Sequence, residues 1–143
     1  MLDRAGARAI NKNNFKKIRE LPNNYKHTIL VNKFIAAMYH LQIGKAKIEH
    51  KIGNIRADIY YPLFDLAVEV DRGTETHKTL KKKASKYNEV MSSINCLIFI
   101  TNGNEDRNKT FAKGINNKSK LTVSHFSRLG NVKQWINKNI VWN

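Results

Sequence analysis

Ile55-Arg56-Ala57-Asp58-Ile59-Tyr60-Tyr61, then Pro62-Leu63-Phe64, then Asp65-Leu66-Ala67-Val68-Glu69-Val70-Asp71 is the stretch on which the fold turns. Two β-rich runs flank a short connection opened by a proline, which is the signature of an antiparallel hairpin. With the turn centred on Leu63 and Phe64, residues whose numbers sum to 127 stand opposite one another. Asp58 then faces Glu69 and Arg56 faces Asp71, all on one side of the pair because side chains alternate. The other side collects Ile55, Ala57, Ile59 and Tyr61 against Leu66, Val68 and Val70 as the core face. Tyr60 falls on the polar side, where it is expected to meet a nucleic-acid strand.

Facing carboxylates have Cβ atoms roughly 5 Å apart, and like charges in that position destabilise a sheet. A shared proton, a neighbouring cation or a bound metal offsets the cost. Hard oxygen ligands at this spacing suit Mg²⁺ or Mn²⁺, and such an ion would activate a water against a phosphodiester. The competing reading is an ordinary polar hairpin face with splayed carboxylates and an Arg56–Asp71 ion pair.

Outward from the hairpin, the pattern is regular. Leu30, Phe34, Ala37, Met38 and Leu41 recur at helical steps and stop before Gly44. Residues 46–52 alternate as a half-buried strand does. After Gly73, Leu80, Ala84, Tyr87 and Met91 mark a second helix. Asn95 to Thr101 is an apolar run of strand length. A polar helical stretch at 105–115, a strand at 121–126 and a closing helix carrying Val132, Trp135, Ile136 and Ile140 complete the order. Helix, three strands, helix, strand, helix, strand, helix is an α/β layout with one mixed central sheet flanked by helices. Residues 1–25 form a basic N-terminal segment ending in the loop signal Leu21-Pro22-Asn23-Asn24, and residues 26–143 form the domain.

The second helix carries Lys78, Lys81, Lys82, Lys83 and Lys86. Lys83 flanks the apolar stripe one turn before Tyr87, so it leans back toward the sheet, where an ammonium would stabilise phosphoryl charge. The other four belong to a solvated face suited to phosphate contacts.

Charge agrees with that picture. There are 26 Lys and Arg against 11 Asp and Glu, a net charge of +15 over 143 residues. A chain this basic calls for a polyanion, and nucleic acid is the commonest. The expected partner is DNA, with RNA as the second choice; no membrane is expected, and a homodimer is a plausible assembly. The lone Cys96 excludes a disulfide framework and a Cys-rich zinc site and reads as a buried small hydrophobe. Of the five histidines, none has metal-ligand spacing to another; His77 follows the carboxylates most closely. No apolar run reaches membrane-spanning length and no signal segment opens the chain, so a cytoplasmic location is expected in a bacterial or phage-infected host cell. Trp135 and Trp142 read as packing residues.

The order of elements with Asp58 and Glu69 on neighbouring strands resembles the αβββαβ core of the PD-(D/E)XK nuclease superfamily. Arg56-Ala57-Asp58 stands where that motif has Pro-Asp, and Glu69-Val70-Asp71 stands where it has (D/E)-x-Lys. The resemblance implies that the motif lysine is supplied by Lys83 from the following helix. It further implies Asp58 and Glu69 as metal ligands and Asp71 as a supporting acid. Lys83 and Tyr87 repeat the spacing of the Gln-x-x-x-Tyr helix motif of RecB-like nucleases.

A closer resemblance is to the replication-relaxation family of plasmid and phage proteins. Leu2-Asp3-Arg4-Ala5-Gly6-Ala7, His27-Thr28-Ile29-Leu30-Val31-Asn32, and Glu69-Val70-Asp71-Arg72-Gly73-Thr74-Glu75 followed by Leu80, Lys83 and Tyr87 carry it. It extends over roughly residues 2 to 100. It implies a role in plasmid or phage DNA replication or relaxation; joined to the opposed carboxylates and the lysine helix, the expectation is a metal-dependent DNA phosphodiesterase of nicking or endonuclease type. His27 and Tyr87 are then supporting residues, and Arg56, Arg72 and Tyr60 join the lysines as nucleic-acid contacts. It also makes residues 1–25 the remnant or linker of a winged-helix domain. The rival expectation is a catalytically silent nuclease-fold module that binds DNA or regulates. A basic RNA-associated structural protein is a third.

Overall fold

A computed structural model of the chain describes residues 23–141; the basic segment up to Pro22 and Trp142 lie outside them. Helix α1 (Asn23–Met38) leads through a 3₁₀ turn (Tyr39–Leu41) to strands β1 (Lys47–Ile52), β2 (Ile55–Tyr61) and β3 (Leu66–Asp71). Then come α2 (His77–Asn88), β4 (Cys96–Thr101), α3 (Asp106–Gly114), β5 (Leu121–His125) and α4 (Leu129–Ile136), with a π-turn at Asn137–Val141. The order is the expected one. One boundary moves: Asn23 and Asn24, expected in a loop, open α1.

The five strands lie side by side in chain order. β1, β2 and β3 run antiparallel in turn, while β3, β4 and β5 are parallel. The two parallel steps need crossovers, and α2 and α3 supply them. The helices thus divide between the two faces. On one face, Phe34 and Met38 of α1 and Ile136 of α4 pack with Ile59, Leu66, Val68, Ile98 and Phe126. On the other, Leu80, Ala84 and Tyr87 of α2 and Phe111 of α3 pack with Ala67, Leu97 and Phe99. Strands β3 and β4, covered on both faces, are buried along their whole length, which is why Cys96-Leu97-Ile98-Phe99-Ile100 has no alternation. Each fully buried Leu, Ile or Phe contributes roughly 1.5–3 kcal/mol.

The hairpin register is the expected one, with Ile59↔Val68, Tyr60↔Ala67 and Tyr61↔Leu66 as partners. The expected core face is not. Ile59 and Tyr61 pack under α1, but Ile55 and Ala57 pack under α2 and α3 together with Tyr60. Alternation therefore changes hands at Asp58. The β1–β2 ladder runs through Ile48↔Ile59 and resumes at His50↔Ala57, and Glu49, level with Asp58, adopts φ +52°. A left-handed residue inside a strand reverses the pleat locally. Tyr60 is accordingly buried rather than solvent-facing: it is 8% exposed, stacked on His50, with its hydroxyl donated to Asp65.

Candidate active site

At Asp58 the β2 backbone leaves its neighbour, and the side chain takes the place of a ladder partner. Asp58 Oδ2 accepts the Val70 N–H at 2.7 Å. Inserting a carboxylate between two strands splays them, which separates Arg56 from Asp71. The expected Arg56–Asp71 pair is absent: Arg56 is exposed, and Asp71 is bound by Arg107 of α3 at 2.6 and 2.9 Å and by the Thr101 hydroxyl at 2.6 Å. Both Asp71 oxygens are committed to this buried fork. Burial pushes the Asp71 carboxyl up, and the Arg107 and Thr101 hydrogen bonds overcome it, leaving it below its ordinary range. Asp71, expected as a supporting acid, thus ties the end of β3 to α3.

Asp58 and Glu69 do come together. Burial raises the Glu69 carboxyl well above the ordinary range, and the Asp58 charge adds to the effect. Burial pulls Asp58 the same way, but the His27 and Glu69 hydrogen bonds bring it below normal. Two adjacent carboxylates in a poorly hydrated site titrate as a pair, and burial beside Asp58 makes Glu69 the harder of the two to ionise.

Three side chains complete the cluster. His27, near the start of α1, lies 3.3 Å from Asp58 Oδ1 and 3.2 Å from the Val70 carbonyl. Its hydrogen bond to Asp58 lifts the imidazole above its ordinary value, against the effect of burial. Tyr87, fully buried on α2, donates to Glu69 Oε1 at 2.8 Å. Lys83, one turn earlier, reaches Glu69 Oε2 at 3.5 Å and Glu75 Oε1 at 2.8 Å. Burial works to depress its ammonium; the Glu69 and Glu75 charges outweigh that and raise it.

The helix holds these positions for local reasons. The Thr76 hydroxyl caps α2 by accepting the Thr79 N–H at 3.1 Å, which satisfies an orphan donor. Leu80, Ala84 and Tyr87 then face the sheet, placing Lys83 at the margin of that stripe. Ahead of the cap, Gly73 has φ +92°, and a Cβ there would lie 2.6 Å from Gly103 Cα. The loop before α2 therefore rests backbone-on-backbone against the loop before α3.

The cluster opens into a cleft of about 460 Å³ lined by His27, Glu49, Asp58, Arg72, Glu75 and Lys83 among others. Lys78, Lys81, Lys82 and Lys86 are exposed on α2, as are Lys109 and Lys113 on the adjacent α3. Arg72 donates to Thr74 beside the cleft. His77, expected near the carboxylates, instead meets Thr110 and Asp106 on α3. Cys96 is buried, its thiol pushed up to about 12.

Sequence reading missed Glu75, Glu49 and Arg107. Glu75 was visible as the acid closing the Glu69–Glu75 stretch. Nothing local marks Arg107 as the partner of Asp71.

Among the described residues no group of three or more His, Cys, Asp or Glu is arranged to hold a metal. The Asp58–Glu69 pair offers hard oxygens, with Glu49 and Glu75 on the cleft wall beside it, and each Asp58 and Glu69 oxygen named above keeps a lone pair beyond its present partner. The pair's chemistry fits a divalent cation that balances its charge. No helix among the described residues is long and apolar enough to cross a membrane.

A family model described as replication-relaxation matches residues 1–97, which takes in α1 through α2 and the start of β4. No curated protein and no solved structure matches the chain.

Proposed function

This chain belongs to the replication-relaxation family, and on that premise we propose that Asp58, Glu69 and Lys83 form the centre of a metal-dependent DNA phosphodiesterase on a PD-(D/E)XK-like sheet. The observation that carries the reading is the approach of the Lys83 ammonium to within 3.5 Å of Glu69, the carboxylate paired with Asp58. A chain of net charge +15 that keeps two acids together at a splayed strand pair suits passing phosphate over them. A family described by replication and relaxation fits a DNA substrate.

In this reading Asp58 and Glu69 hold Mg²⁺ or Mn²⁺. The ion, when bound, polarises the phosphodiester and supplies a metal-activated water. His27 fixes the Asp58 carboxylate, and Tyr87 fixes Glu69 from beneath. Lys83 places positive charge where the phosphoryl oxygens gain negative charge. The exposed lysines of α2 and α3, with Arg72, bind backbone phosphates. Tyr60, being buried, takes no part in binding.

The test is nicking of supercoiled plasmid with and without Mn²⁺, beside Glu69→Ala. Metal-dependent nicking above the mutant's background supports the reading; its absence removes it.

The commitment of Asp71 to Arg107 favours a second reading. With the usual lysine position spent on a structural ion pair, the scaffold would serve as a silent DNA-binding or regulatory module. DNA affinity that Asp58→Ala leaves intact or strengthens, without nicking, would establish it.

A further inference from the structure

The cleft at the candidate site does not end at Asp58. It shares His27, Glu49 and Asp58 with a small hollow of about 40 Å³ that reaches Ile48 on β1. Ile48 in turn lines a cavity of about 760 Å³ between the C-terminal half of α1 and β1. A row of three hollows therefore lies beside α1 between the carboxylate pair and the turn at Tyr39–Gly44, with Ile48 as the residue common to the last two. From His27 to Tyr39 it follows α1 for about 18 Å, at 1.5 Å per residue.

The far cavity has a distinct chemistry. Its rim carries Tyr39, 76% exposed, and His40, whose ring lies edge-on to Tyr39 at 5.3 Å. Asn32 and Gln42 contribute amides with both donors and acceptors, Lys45 contributes a cation, and no acid lines this part. Ile48, 55% exposed, gives an apolar step between the two cavities. Tyr61 forms part of the wall, and its buried hydroxyl has no partner among the described residues. The turn that presents these groups is held open by left-handed backbone at Gln42 and Gly44.

An exposed aromatic pair, amides and a lysine around a trough, in line along α1 with a site proposed to take a phosphodiester, match one ligand class. We propose that this trough binds unpaired DNA nucleotides flanking the scissile phosphate, with a base stacked on Tyr39. Aromatic faces bind bases regardless of sequence, and nearby cations follow the backbone. A duplex buries its base faces in its own stack, so it leaves Tyr39 unused. The roughly 18 Å between the two ends corresponds to about five nucleotides at the 3.4 Å spacing of a stacked strand, a strand that passes over the surface at Ile48 and not through the small hollow beneath it. The substrate is then a strand with a single-stranded portion beside the cut, not a continuous duplex. This rests on the phosphodiester reading above and deepens it.

The experiment measures binding in a chelating buffer, so metal and catalysis do not enter. Fluorescence anisotropy is recorded for a labelled single-stranded DNA and for the same sequence as a blunt duplex. Tyr39→Ala is expected to weaken single-strand binding about tenfold, the scale of one lost base–aromatic stack, and to leave duplex binding in place. Tyr39→Phe, which keeps the ring, is expected to retain wild-type affinity. Because Tyr39 is exposed, both variants fold. Equal losses on both DNA forms, no loss with Tyr39→Ala, or a Tyr39→Phe defect as large as the alanine one would overturn the proposal. So would tighter binding of an RNA strand of the same sequence. A Tyr39 effect without metal-dependent nicking supports the trough and removes the catalytic reading alone. Nicking without a Tyr39 effect does the reverse.

Discussion

The Lys83 ammonium lies 2.8 Å from Glu75, closer than its 3.5 Å approach to Glu69. Glu75 comes from the loop before α2 and thereby draws the lysine off the carboxylate pair. Without that anchor, Lys83 would close onto Glu69 and compete with any cation held there. Glu75→Gln should therefore weaken Mn²⁺ binding about tenfold, as loss of a partner surrounding metal ligands does. Calorimetric titration with Mn²⁺ checks this. Adding Lys83→Met to Glu75→Gln should restore affinity, because the competitor is gone. Loss of affinity that the second substitution fails to rescue would mean that Glu75 only supports the loop.

The carboxylate pair also sets a pH dependence. Between the ordinary carboxyl value of 4.5 and its raised folded value, Glu69 keeps a proton that the unfolded chain has released. Stability falls as pH rises across that window. His27, raised above 6.5, acts in the same direction: its contribution is complete below 6.5 and is lost as pH rises through the folded value. Asp58 and Asp71, both lowered, contribute above 3.8 and lose it only in acid. Thermal melts should show wild type losing stability from mildly acidic toward alkaline pH. Glu69→Gln, which carries no charge, should flatten the slope and melt higher at alkaline pH. Mn²⁺ should stabilise wild type and leave Glu69→Gln unmoved.

Much of this arrangement was legible in the residues, for identifiable reasons. The register followed from a turn centred on Leu63 and Phe64, and the Leu80–Ala84–Tyr87 stripe placed Lys83 on the correct margin of α2. Both depend on spacing within one element or one hairpin. What escaped depends on contacts between elements. Nothing within Ile55–Tyr61 shows that Asp58 bonds to the Val70 backbone and splays the strands, so the core face was wrong on one side of it and Tyr60 was placed outside. The partner of Asp71 comes from a helix 36 residues further along. A charged residue opposite another in a ladder is a local expectation; a buried arginine from another layer is not.

That arginine yields a stability measurement. Arg107 and Asp71 are 6% and 4% exposed and joined by two hydrogen bonds, so removing one partner leaves a buried charge unpaired. Arg107→Ala should cost about 3–5 kcal/mol in chemical denaturation. Asp71→Asn should also destabilise, because it leaves the buried Arg107 charge without its counter-ion and turns an amide NH₂ toward a guanidinium N–H. If Arg107→Ala costs under about 1 kcal/mol, the range of an exposed pair, the fork is not a structural tie.

The lysine face separates electrostatic docking from chemistry. Lys78, Lys81, Lys82 and Lys86 project from α2 into solvent, while Lys83 alone turns to the carboxylates. A phosphate contact contributes about 0.9 to the slope of log affinity against log salt for duplex DNA. Replacing Lys78 and Lys82 by Ala should therefore reduce that slope by about 1 to 2 and weaken binding similarly for every sequence. The melting temperature should not move, since neither side chain is buried. Lys83→Met should do the opposite, changing the salt slope little and abolishing metal-dependent nicking. Anisotropy titrations across a salt series, beside the plasmid assay, give both quantities. A Lys83→Met protein that nicks normally would place the chemistry elsewhere, whereas an unchanged slope after the α2 replacements would move the DNA off this helix.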